Sequence, residues 1–135
     1  MRRAPAILAA AAILVAGCGG SAEDRAASTV HGYLDAFVDG DGAKACSLMA
    51  SAVRAGFVAR MRRDMKTSDC GIAIDRIHNQ AGPRILRALK DAKVSDVKVR
   101  GEEATARITS GSSSTVTTLV REHGEWRISV PPGGQ

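Results

Sequence analysis

The stretch Asp96-Val97-Lys98-Val99-Arg100-Gly101-Glu102-Glu103-Ala104-Thr105-Ala106-Arg107-Ile108-Thr109 decides the fold. Val97 and Val99 alternate with Asp96, Lys98 and Arg100, and Gly101-Glu102 reads as a turn. Beyond it Ala104, Ala106 and Ile108 alternate with Thr105, Arg107 and Thr109. A period of two is that of a strand with one face on a core and the other in water. After a loop at Ser110 to Ser114, the run from Thr115 to Arg121 is rich in β-branched residues. His123-Gly124 is a compact hairpin turn, and Trp126, Ile128 and Val130 alternate in a last strand before Pro131-Pro132-Gly133-Gly134. These segments predict an antiparallel meander of about four strands.

Upstream of Asp91 the period is helical. Val30, Tyr33, Leu34 and Phe37 share one face of a helix from about Glu23 to Val38, ended by Asp39-Gly40-Asp41-Gly42. A short helix over Ala43 to Ala50 places Cys46 with Met49 on its inner side. Ser51 is the expected cap of the next, which runs to about Met65 and repeats Val53, Phe57, Met61 and Met65 every four residues. Its other faces carry Arg54, Arg60, Arg62, Arg63 and Lys66. That pattern suits either a core-facing stripe with a solvated basic face or a helix lying on a membrane surface. Ser68 or Asp69 caps a helix holding Cys70, Ile72, Ile74 and Ile77. Pro83 opens another, with Ile85, Leu86 and Leu89 expected on its buried side. Helices first and strands second imply an α+β fold, with N-terminal helices packed on one face of an antiparallel sheet.

The N-terminus reads as a processing signal. Met1-Arg2-Arg3 is a positive start, and Ala4 to Ala16 is uncharged and too short for a membrane span of about 20 residues. Val15-Ala16-Gly17-Cys18 resembles the bacterial lipobox, with an aliphatic residue, a small pair and an acceptor cysteine. The resemblance implies a diacylglyceryl group on the Cys18 thiol and cleavage before it. Two acyl chains hold a protein stably where one holds it marginally. The alternative is an ordinary secreted protein in which Cys18 is incidental. The expected organisation is therefore a signal peptide at 1–17, a lipidated cysteine and flexible tether at 18–22, one domain at 23–131 and a tail at 132–135. The expected location is outside the cytoplasm, anchored to the cell membrane by lipid.

Composition narrows the partners. The 135-residue chain has a formal net charge of +5, which loss of Arg2 and Arg3 reduces to +3. Tyr33, Phe37, Phe57 and Trp126 are its only aromatics, too few for a base-stacking platform, and nucleic acid is not an expected partner. With Cys18 assigned to lipid, Cys46 and Cys70 form an even pair in an oxidising compartment, and a disulfide between them is expected. Two buried free thiols are the alternative.

Val30-His31-Gly32-Tyr33-Leu34-Asp35-Ala36-Phe37-Val38-Asp39-Gly40-Asp41-Gly42-Ala43-Lys44-Ala45-Cys46 resembles the opening of small actinobacterial lipoproteins of the nuclear-transport-factor-2-like (cystatin-like) superfamily. Arg121-Glu122-His123-Gly124-Glu125-Trp126-Arg127-Ile128 is similar to that superfamily's final hairpin. The resemblance implies that the antiparallel sheet is curved, a cone around helices that often encloses a pocket, and it spans enzymes, adaptors and exported binding domains alike. The chain departs from it in having at least three helical segments before the sheet.

The candidate pocket residues are Tyr33, Phe37, Ile108, Trp126 and Ile128. No acid alternates onto the expected inner strand faces, Ala104, Ala106, Ile108 and Trp126, Ile128, Val130. His31 and Asp35 are four apart and Asp75 and His78 three apart, spacings that share a helix face without bringing the two pairs together. His123 falls in a turn. Phosphate-loop, His-Glu-x-x-His and Gly-x-Ser-x-Gly motifs are all absent, so no catalytic, metal or cofactor site is assigned. The leading expectation is a non-catalytic domain that binds a small apolar ligand or an envelope protein. The alternative is a cavity enzyme of the isomerase or cyclase kind using Tyr33 with Asp35 or His31.

Overall fold

A computed structural model describes residues 19–131. Five helices, α1 (Ala22–Val38), α2 (Gly42–Ser47), α3 (Ser51–Asp64), α4 (Cys70–Gln80) and α5 (Pro83–Lys90), precede four strands, β1 (Lys93–Arg100), β2 (Glu103–Ser110), β3 (Ser113–Glu122) and β4 (Glu125–Val130). The strands form one open antiparallel sheet in the order β1-β2-β3-β4. The expected α+β architecture is present. Cys18, the segment 1–17 and the tail 132–135 lie outside the described residues.

Helix ends follow local chemistry. Ser21 caps α1 in a capping box with Asp24, each side chain satisfying the other's backbone N–H. Asp41 caps α2 and Asp69 caps α4 through their carboxylates. Pro83 opens α5, where its missing N–H costs nothing. Two expectations need correction here. The second helix stops at Ser47 rather than Ala50, because residues 48–50 leave it to run beside β4: Ala50 N–H donates to the Ile128 carbonyl and Ile128 N–H to that of Leu48, both at 2.8 Å. Ser51 does not cap α3 either. Ala50 holds that position without a side-chain bond, and Glu122 from β3 reaches across to accept from Ser51 N–H and Oγ, both at 2.9 Å.

The sheet shows the expected alternation. Ala104, Ala106 and Ile108 of β2 face inward with Leu119 and Thr117 of β3 and Trp126 and Ile128 of β4, and α1 lays Ala26, Val30 and Leu34 across them. The loop expected over Ser110 to Ser114 shrinks to Gly111-Ser112, which lets β3 start at Ser113 and pair Ser110 with it. His123 and Gly124 both take left-handed conformations (φ 52° and 80°), as the tightest hairpin turn requires. Val130 is not inside. A register shift after Leu119–Ile128 pairs Val130 with Thr118 on the outer face, and it is 39% exposed.

The two edges are protected differently. Residues 48–50 cover part of β4. On β1 a register irregularity between Ser95 and Lys98, with Asp96 left-handed at φ 49°, interrupts the edge, and charged Lys93, Lys98 and Arg100 line it. Arg107 straps the irregularity through a 2.9 Å ion pair with Asp96.

Candidate functional site

A second apolar cluster lies beside the sheet core, built from Ala36, Ala45, Cys46, Met49, Cys70 and Ile74. Cys46 and Cys70 form the expected disulfide, with Cα atoms 6.0 Å apart. Around it α4 is tied to the α1–α2 connection by two polar contacts. Asp75 accepts from Gly42 N–H at 2.7 Å, and His78 contacts the Phe37 carbonyl at 2.7 Å through Nδ1. A carbonyl only accepts, so this imidazole nitrogen carries the proton. Gly42 permits the approach, because a Cβ there would collide with the Gly71 carbonyl and the Asp75 carboxylate.

Between the two clusters the helices leave a cavity of about 340 Å³. Tyr33, Leu34 and Phe37 of α1 form one wall, with Phe57, Arg60 and Met61 of α3 and Ile74 and Ile77 of α4. Leu89 of α5, Met49 and Pro131 complete it. Burial alone pushes the Tyr33 phenol above its ordinary pKa, so the hydroxyl stays neutral at physiological pH. Arg60 is the single charged residue on the lining. A larger depression of about 550 Å³ lies on the uncovered face of the sheet, but Lys98, Arg100, Glu103, Thr105, Thr118 and Ser129 give it a polar wall. A ligand pocket is mostly apolar with a few polar groups, and the interhelical cavity fits that description better.

The residues singled out from the sequence separate into two groups. Tyr33 and Phe37 line the cavity. Ile108, Trp126 and Ile128 are 4%, 3% and 0% exposed and pack into the sheet core, where α1 fills the space over the strands. Trp126 also receives the Arg121 guanidinium over its ring at 4.7 Å. His31 and Asp35 are exposed, and neither lines the cavity that holds Tyr33. Asp75 and His78 serve the contacts just described, and His123 is exposed. Among the described residues no group of three or more His, Cys, Asp or Glu is placed to hold a metal ion.

Sequence reasoning missed Leu34, Met49, Phe57, Arg60, Met61, Ile74, Ile77, Leu89 and Pro131 as cavity residues. Arg60 reads in the sequence as part of a basic face. The spacing of the apolar helical residues marks them as inward-facing, and spacing does not distinguish a side chain that packs from one that borders a void. No family model matches the chain, and no curated protein matches its sequence. Among the described residues no helix is long and apolar enough to cross a membrane. The disulfide is compatible with a location outside the cytoplasm.

Proposed function

We propose that this protein is a lipid-anchored envelope lipoprotein whose domain, a variant of the cystatin-like cone, binds a small apolar ligand without transforming it. The observation that carries this reading is the interhelical cavity of about 340 Å³ with ten uncharged lining residues and one arginine. The Cys46–Cys70 bridge supports an exported setting. Val15-Ala16-Gly17-Cys18 supplies the motif for a diacylglyceryl anchor, and Gly19-Gly20 a short link from it to the Ser21 cap of α1, where the expected tether through residue 22 gives way to the helix. Ligand binding is favoured over partner binding because, among the described residues, the large exposed apolar side chains form no extended patch: Val116 and Val130 share the outer face of the sheet, while Ile72 and Ile85 sit on separate helices.

The neutral fluorophore N-phenyl-1-naphthylamine tests the cavity in the soluble Cys18→Ser protein. Saturable enhancement is expected. Ile77→Trp, which adds bulk to the cavity wall, should weaken binding tenfold or more, while Val116→Trp on the outer sheet face should not. No enhancement, or equal binding in the two variants, rejects the ligand reading. Cys18→Ser should also release the protein from the membrane fraction, and unchanged retention rejects the lipid anchor.

A further inference from the structure

We infer that the cavity takes a single-chain amphiphile with an anionic head, a carboxylate or phosphate, whose chain lies among the helices and whose head pairs with Arg60. This rests on the reading of the cavity as a ligand site.

Arg60 belongs to the cavity lining and yet is exposed, the combination expected of a long side chain that lays its aliphatic stem on an apolar surface and keeps its charge in water. The ion pairs among the described residues engage Arg107, Arg121 and Arg127; none engages Arg60. No acidic side chain lines the cavity, and burial keeps the Tyr33 phenol neutral, so nothing on the wall repels an anion. A free guanidinium presents a planar fork that matches carboxylate and phosphate oxygens in pairs.

The wider charge distribution points the same way. From α3 through α5, residues 51–91 hold nine Lys and Arg against four Asp and Glu, whereas residues 22–50 hold two against five. The basic excess therefore lies on the three helices that supply Arg60, Ile74, Ile77 and Leu89 to the cavity. On that side of the cavity, opposite the more acidic segment that supplies Tyr33, Leu34, Phe37 and Met49, such a field favours an anion over a cation. Size limits the chain. At about 30 Å³ per water volume, and roughly the same for a methylene, the cavity accepts an alkyl chain of about a dozen carbons.

Three probes that share a twelve-carbon chain separate the head from the tail: dodecanoate, dodecanol and dodecyltrimethylammonium, each below its micellar concentration. They compete against N-phenyl-1-naphthylamine on the Cys18→Ser protein. Dodecanoate is expected to displace the fluorophore at a concentration at least tenfold below dodecanol, with dodecyltrimethylammonium weakest and dodecyl phosphate following dodecanoate. Arg60→Gln should bring dodecanoate to the dodecanol level, and Arg60→Lys should keep part of the preference. Arg62→Gln, on the same helix but off the lining, should keep it in full. Equal displacement by all three heads overturns the anionic ligand while leaving an apolar site in place. Loss of preference in Arg62→Gln as complete as in Arg60→Gln overturns the role of Arg60. If the fluorophore does not bind, the cavity reading itself fails and this inference falls with it.

Discussion

The sheet core and the disulfide-bound helical layer are built by different means. In the sheet core Leu119, Ile128, Val30 and Thr117 are fully buried, and inward residues pair across the strands, Ala104 with Leu119, Ala106 with Thr117 and Leu119 with Ile128. Ladder and packing suffice there. The helical layer surrounds a cavity and is joined by the Cys46–Cys70 bridge, by Asp75 and His78 reaching to α2 and α1, and by Glu122 reaching to α3. A region that encloses a cavity forgoes part of its packing energy, and covalent and polar ties offset that loss. The contrast teaches that the two layers reach stability by different means, the sheet by close apolar packing and the helical layer by ties around a void.

The largest expected effect comes from the sheet core. Ile128→Ala removes a side chain with no exposed surface and should cost about 2–5 kcal/mol in urea unfolding. A smaller loss would mean that the strands are not the tightly packed half. Replacing both Cys46 and Cys70 with Ala should cost about 3 kcal/mol, the loop-closure value for a separation of 24 residues. Amide exchange sharpens this result: protection should fall first in residues 42–80, and equal loss in the strands would break the distinction between the layers.

Gly42→Ala should cost about 1–3 kcal/mol, since its Cβ must push α2 away from the Gly71 carbonyl and Asp75. The test is whether Asp75→Asn, which weakens the same junction, adds fully to it; additivity would mean that the two residues are not coupled through one close approach.

The smallest effect belongs to Glu122. Hydrogen bonds from the Ser51 backbone N–H and then its hydroxyl hold the carboxyl below the ordinary glutamate value. A depressed folded-state pKa gives stability that is present above the unfolded value and lost as pH falls through the folded one. Glu122→Gln should therefore lower Tm slightly at pH 7, and the difference from the parent protein should vanish in acid. A difference that is constant with pH would assign the effect to shape rather than charge.

Much of the fold was legible in local pattern. The alternation from Asp96 to Thr109 and the left-handed turn at His123-Gly124 were readable because strand period and turn chemistry are properties of neighbouring residues. Val130 was misread because a register shift depends on the partner strand. Ser51 was assigned a cap that Glu122 supplies from 71 residues away. Ile85, expected on a buried face, is 54% exposed: α5 packs chiefly against α1 and has no fully buried residue. Of the cavity, Tyr33 and Phe37 were named from the sequence; Arg60 was read only as part of a basic face.

The sequence by itself determined the order of helices and strands, the turns, the Asp69 cap, the Pro83 helix start and the candidate cysteine pair, since each follows from residues close in the chain or from simple parity. Tertiary structure decided what fills the space between them. Val30 and Leu34 close the region over Ile108 and Ile128, while α3, α4 and α5 meet α1 without filling the gap beside Tyr33. Packing is a property of facing surfaces, and two stripes of identical spacing become core or cavity according to how closely their partners approach.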